Sequence, residues 1–201
     1  SGLNLDVPGC GGYLHPFIKL VNPLWRAQEP HFEGVFDEFL WVDVFPADAM
    51  PDDKGDLAKL MARQRRTWRR AVRSYVSVDG STSNPLKRAL KKIIYPIHRA
   101  VFPAREQFAE LGDRAASLDY EAASHVGDVV WGPYKPDKPG FPVGDFDNLV
   151  DMEFEGRTFK ACPHWDAYLT GLYGDYMQLP PEDRRVTHGM RVWKVDSEEV
   201  R

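Results

Sequence analysis

Two acids interrupt an otherwise apolar run at residues 39–50, FLWVDVFPADAM: Asp43 and Asp48. Leu40, Val42 and Val44 alternate with Trp41, Asp43 and Phe45, and Pro46 stops regular pairing. The pattern predicts a mostly buried strand with one carboxylate facing sideways out of it. Such a carboxylate is costly unless it is paired, hydrogen-bonded or holding a metal. The other reading is an edge-strand aspartate facing solvent. Asp48 lies two residues past Pro46, where capping the next turn is favoured over metal binding.

Other side chains could meet a charged substrate. Lys19 sits in a short strand pattern, FIKLV at 17–21, and is either a phosphate partner or an ordinary exposed lysine. Arg184, Arg185 and His188 follow a double proline and read equally as a phosphate clamp or a solvated tail. Asp175 follows Gly174 and is expected to make a structural hydrogen bond. Trp131 and Tyr134, in an irregular stretch at 126–144, suit stacking on a base or sugar, with core packing the simpler expectation. Gly11-Gly12 lacks P-loop spacing and reads as a turn. Cys10 and Cys162 have no zinc spacing; two free thiols in a reducing compartment is the default, with one disulfide the alternative.

The elements that must position these residues follow from periodicity. Asn22-Pro23 predicts a turn after the first strand. From Leu57, apolar positions at Leu60, Met61, Trp68, Ala71, Val72 and Tyr75 keep helical spacing, with six arginines between Arg63 and Arg73. That arginine face is expected to be solvated, with contact to an acidic polymer or membrane surface as the minority reading. Leu86, Leu90, Ile93, Ile94, Ile97 and Val101 predict a second amphipathic helix, bent or broken near Pro96. Pro103 opens a third, with Phe108, Leu111, Ala115 and Leu118 inside. A hairpin is expected through Glu155-Gly156. A last helix from Pro163 should carry Trp165, Tyr168, Leu169 and Leu172 on one face and stop at Gly174.

The 201 residues suffice for one domain with a sizeable core. Composition is that of a soluble globular protein, 43% hydrophobic and 28% charged, and the net charge of −4 argues against nucleic acid as partner. No apolar run approaches the roughly 20 residues of a membrane span. The start, SGLNLDVPGC, has neither the basic nor the apolar region of a signal peptide. It also lacks an initiator Met, which reads as a trimmed or processed chain with part of the unit upstream.

WVDVFPADAMPDD resembles the IDIFPLDGLP segment of LicD-type proteins, and DAYLTGLYGDYMQLPPEDRR resembles that family's YLTKLYGDYMKLPPEEKR. HPFIKLV before the first motif and VDMEFEGRTFKACP before the second fit the same order. The resemblance implies an α+β, nucleotidyltransferase-like fold: a small mixed sheet with packed helices, truncated at the N-terminus. It implies one LicD-like domain over 1–201, with a helical layer at about 54–124 and a C-terminal hairpin and helix at about 148–178. The implied activity is transfer of a phospho-alcohol, phosphocholine as first guess, from a CDP-activated donor to a cell-surface glycan such as lipopolysaccharide or teichoic acid. Mg2+ or Mn2+ would neutralise the diphosphate and orient in-line attack by a sugar hydroxyl. Asp43 is then both the catalytic and the metal-binding carboxylate, and Lys19, Arg184, Arg185 and His188 bind substrate. The family's DxDxD segment, source of two further carboxylates, is absent: Asp6 is the only acid before Glu29. An upstream segment or a second chain would complete the site. The expected location is cytoplasmic, with peripheral membrane contact. The alternative is a non-catalytic binding or scaffold module of the same fold; a nucleic-acid-binding reading comes third and would show steep salt dependence.

Overall fold

Strand β2 (Ile18–Gln28) is the axis of the larger sheet in the computed structural model, which describes residues 2–11, 13–29, 38–130, 140–185 and 189–195. Its first half pairs with β1 (Asn4–Asp6) on one side and with β3 (Glu38–Val44) on the other. Its second half pairs with β9 (Arg191–Lys194), far along the chain. A second sheet joins β4 (Asp48–Met50), β5 (His125–Gly127) and β6 (Phe141–Pro142). A third is the hairpin of β7 (Val150–Phe154) and β8 (Arg157–Ala161). The protein is therefore α+β, but every described pairing is antiparallel and spread over three small sheets, not one mixed sheet.

Two local expectations are corrected. The chain does not turn at Asn22-Pro23: β2 runs through it, and the register slips between Asn22 and Arg26, where the proline has no N–H to give the ladder. Nor is β3 mostly buried. Its neighbour on the described far side is absent, and Val42 and Val44 are 63% and 48% exposed. Among the described residues it is an edge strand, and Asp43 is exposed on it.

The core lies between helices and the second sheet. Helix α1 (Lys54–Tyr75) starts where the Asp53 side chain accepts the Asp56 amide at 2.9 Å. It buries Leu57, Met61, Gln64, Ala71 and Tyr75 at helical spacing against Phe108, Leu111 and Ala115 of α3 (Ala104–Ala116). Met50, Val129 and Val130 close the cluster from the β4 and β5 side. Gln64 is fully buried there. Its amide donates to the carbonyls of Leu111 and Val129, both at 3.1 Å, and its oxygen accepts from Arg114. Gly140 is a sequence requirement of the second sheet: a Cβ there would stand 2.6 Å from the Val126 carbonyl oxygen.

Helix α2 (Pro85–Val101) is capped by Asn84, whose side chain accepts from the Lys87 amide. It runs unbroken through Pro96, so the expected break is not there. Pro96 is exposed, where water can take the carbonyl it frees one turn back. At the C-terminal end, the β7–β8 turn places Glu155 and Gly156 at φ 49° and 71°, the left-handed pair a two-residue hairpin needs. Helix α4 (Trp165–Tyr173) ends at Gly174, φ 74°, as expected.

Candidate functional site

Strand register brings together what lies far apart in sequence. Lys19 on β2 stands directly opposite Asp6 of β1 and Asp43 of β3, so the three form one row across the sheet. Residues opposite one another share a face. Between that face and α1 and α3 opens a cleft of about 440 Å³, lined by Lys19, Asp43, Glu38, Trp41, Trp68 and Tyr75, among others.

Lys19 is buried, 4% exposed, and its ammonium donates to Glu38 Oε1 at 2.6 Å while lying 4.0 Å from the centre of the Trp41 ring. Burial alone would push the Glu38 carboxyl up; His15 and Lys19 outweigh it and hold the group below its ordinary value. His15 Nε2 is 3.8 Å from Glu38, beyond hydrogen-bond length, so the 2.6 Å lysine bridge is the stronger influence. His15 instead shares a 2.8 Å hydrogen bond with the Tyr75 hydroxyl. Both nearby phenols are held neutral. Tyr13 is pushed up by burial and then by Asp43, Glu38 and Asp6, and Tyr75 by burial and then by Glu38. The Tyr13 hydroxyl and His15 Nδ1 are buried with no hydrogen-bond partner among the described residues.

Among the described residues the site thus gathers four carboxylates, Asp6, Glu29, Glu38 and Asp43, one enclosed cation, Lys19, and several aromatic rings. The carboxylates do not converge. Strands lie about 4.8 Å apart, so Asp6 and Asp43 are separated by two such steps, with Lys19 between them. Among the described residues, no three His, Cys, Asp or Glu side chains are placed to share a metal ion. The described residues do not form a metal cage; Asp43 offers an exposed carboxylate beside the cleft.

The remaining expected residues sit elsewhere. Asp48 caps no helix; it accepts the Val130 amide at 3.2 Å, and burial raises its carboxyl to about 6. The α1 cap is Asp53 instead. Arg184 and Arg185 are exposed and do not line the cleft; Arg185 donates to the Pro180 carbonyl at 2.8 Å in its own loop. The Asp175 carbonyl accepts from the Gln178 amide, and its carboxylate is exposed. His188, Trp131, Tyr134 and Gly12 lie outside the described residues. Cys10 and Cys162 are free thiols. Sequence reasoning passed over Asp6, His15 and Glu38, because each earns its place by a pairing partner and not by its neighbours in sequence.

These features define an α+β protein with an acidic, aromatic cleft at a sheet edge. Over 151 residues, 74% of the chain, it is 25% identical to the lipopolysaccharide cholinephosphotransferase LicD of Haemophilus influenzae. The chain spans about half of that relative, 54% of its length. No family profile and no solved structure matches the chain. Among the described residues, no helix is long and apolar enough to cross a membrane.

Proposed function

We propose that the chain forms the donor-binding part of a transferase that moves a phospho-alcohol, phosphocholine first, from a CDP-activated donor to a cell-surface glycan. The observation that carries this reading is the cleft lining: Trp41, Trp68 and Tyr75 beside Asp43 and Glu38, in a chain similar to a cholinephosphotransferase. A quaternary ammonium is weakly hydrated and favours aromatic faces with carboxylates nearby. Trp41 already holds one cation, the Lys19 ammonium.

The residues take separate roles in this reading. The aromatic walls hold the choline end and exclude water from it. Lys19, fixed by Glu38, supplies positive potential behind the phosphate end without leaving its ion pair. Asp43 lies at the exposed rim, where it can orient the acceptor hydroxyl or join a divalent ion. Mg2+ or Mn2+, held by Asp43 together with the donor's own phosphates, would neutralise charge developing on the diphosphate. Arg184, Arg185 and His188 remain proposed contacts for the acceptor or donor.

A second reading, a binding module without chemistry, is favoured by one observation: the scattered carboxylates of the described residues. Calorimetric titration with CDP-choline, with and without Mg2+, separates the two. Binding strengthened by metal and lost in Asp43→Asn supports the transferase reading. Binding of choline compounds that ignores both metal and Asp43→Asn means a module. No binding under any condition overturns the donor site.

A further inference from the structure

Helix α2 turns its polar face to the protein and its apolar face to solvent. On the inner side, Lys91 Nζ donates to the Ser81 carbonyl and hydroxyl at 3.1 and 3.0 Å, and Arg88 donates to the Thr82 carbonyl at 3.2 Å. His98 Nδ1 lies 2.9 Å from the Ser74 hydroxyl of α1, and Arg99 donates to the Val76 carbonyl at 2.9 Å. Tyr95 is the one buried residue of the helix. These ties run along nearly its whole length and fix which way it faces.

The outer side carries Leu86, Leu90, Ile93, Ile94, Ile97 and Val101, at 82%, 57%, 67%, 45%, 63% and 61% exposure. At 100° per residue these six fall on one stripe, flanked by Lys87 on one edge and by Ala89, Pro96 and Ala100 on the other, with Lys92 and Arg99 on the far side of the helix. Six large aliphatics in one continuous exposed stripe exceed the scattered apolar exposure of an ordinary surface.

Charge supplies the second observation. Helices α1 and α2 hold thirteen of the chain's 26 lysines and arginines against a single acid, Asp56, although the whole chain is at −4. The other 29 of its 30 acids lie outside these two helices. Arg70 of α1 stacks 4.7 Å from the centre of the Phe102 ring at the end of α2, so the arginine-rich α1 lies directly beside α2.

We propose that α2 is an interfacial anchor that lays this protein on an anionic lipid surface, the stripe entering the acyl boundary while Lys87 and the arginines of the neighbouring α1 meet the headgroups. Only that partner satisfies both halves of the pattern. A nucleic acid offers nothing to six aliphatic side chains. A second copy docked on the same stripe brings two cation-rich α1–α2 pairs together. The proposal is independent of donor binding: the stripe and the cleft share no residue.

The test is sedimentation of the 201-residue chain with vesicles of phosphatidylcholine containing about 30% phosphatidylglycerol, and with phosphatidylcholine alone. Binding to the anionic vesicles is expected to exceed binding to the neutral ones by about tenfold or more, and to weaken in high salt. Ile93→Asp with Ile97→Asp should cut anionic-vesicle binding at least about tenfold with the melting curve unchanged, because both side chains are exposed. Ile93→Trp should shift its fluorescence to the blue on adding vesicles. Vesicle binding that ignores the Asp pair overturns the proposal, as does an unshifted Ile93→Trp. So does a dimer in sedimentation that the Asp pair dissolves, or binding to polyanionic RNA but not to vesicles.

Discussion

The α1–α3 core and the C-terminal hairpin-helix unit are held by different means. In the core, Met61, Ala71, Phe108, Leu111, Val129 and Val130 are at most 1% exposed and touch one another. From β7 through α4, the described side chains include no buried residue. Among the described residues, the contacts that tie that unit on include Phe141 stacked on Tyr168 at 4.2 Å and His164 against the buried Asp145 at 2.8 Å. Within itself it relies on short-range bonds, such as Tyr176 donating to Asp166 at 2.5 Å. Yet the YGDYM-LPP stretch, the most recognisable part of the chain, belongs to this loosely packed unit. Recognisable sequence and dense packing are separate properties.

The sharpest way to break the comparison is to truncate one large side chain in each region. Leu111→Ala should cost about 3–4 kcal/mol in urea unfolding, while Phe159→Ala, 51% exposed at the start, should stay within about 0.5 kcal/mol. Equal losses would mean the C-terminal unit is packed as the core is.

Next in size is the cleft between the larger sheet and the core helices. Lys19→Met strands the Glu38 carboxylate in a largely enclosed site and should cost about 3 kcal/mol, most of it regained when Glu38→Leu is added. The sign with pH follows from the lowered Glu38 value. The pair's contribution is present above the ordinary glutamate range and is lost as pH falls through the lowered value, so acid unfolding should come later in the double variant.

Asp145→Ala should cost about 1.5 kcal/mol, and its main mark should be local: faster proteolysis near residue 164 with the main unfolding transition little moved. A single shifted transition would show that the unit unfolds with the core. Smallest is Asp48→Asn. Burial raises the Asp48 carboxyl to about 6, so its neutral form stabilises the fold fully below about pH 4, and that contribution is lost as pH rises through 6. The substitution should add about 1 kcal/mol at pH 7.5, discounted for the solvent that still reaches the group, and nothing at pH 4. Thermal melts at the two pH values check it.

Local signals carried well and non-local ones did not. Glu155-Gly156 announced the hairpin because two adjacent left-handed residues suffice to make it. Helix α1 was readable because its apolar stripe keeps helical spacing within one segment, although its cap is Asp53 and not Asp48. The same periodicity in α2 gave the helix but not its orientation, since a stripe does not say whether it faces core or solvent; Lys91, His98 and Arg99 decide that through partners at 81, 74 and 76. The row of Asp6, Lys19 and Asp43 was hidden for the same reason, being a product of strand register. Asn22-Pro23 misled because a slip in the ladder uses the same residues as a turn.

Gln64 sets the order in which a nascent chain can finish. Its amide must find carbonyls 47 and 65 residues downstream, at Leu111 and Val129. Until the ribosome has released Val129, α1 carries a polar group with nowhere dry to go, and closing those two loops is the slow, entropy-limited act. Synthesis beyond that point adds β6, the hairpin, the last helix and β9 around a core whose buried amide is already satisfied, so the exposed interval for that amide is the wait between residues 64 and 129.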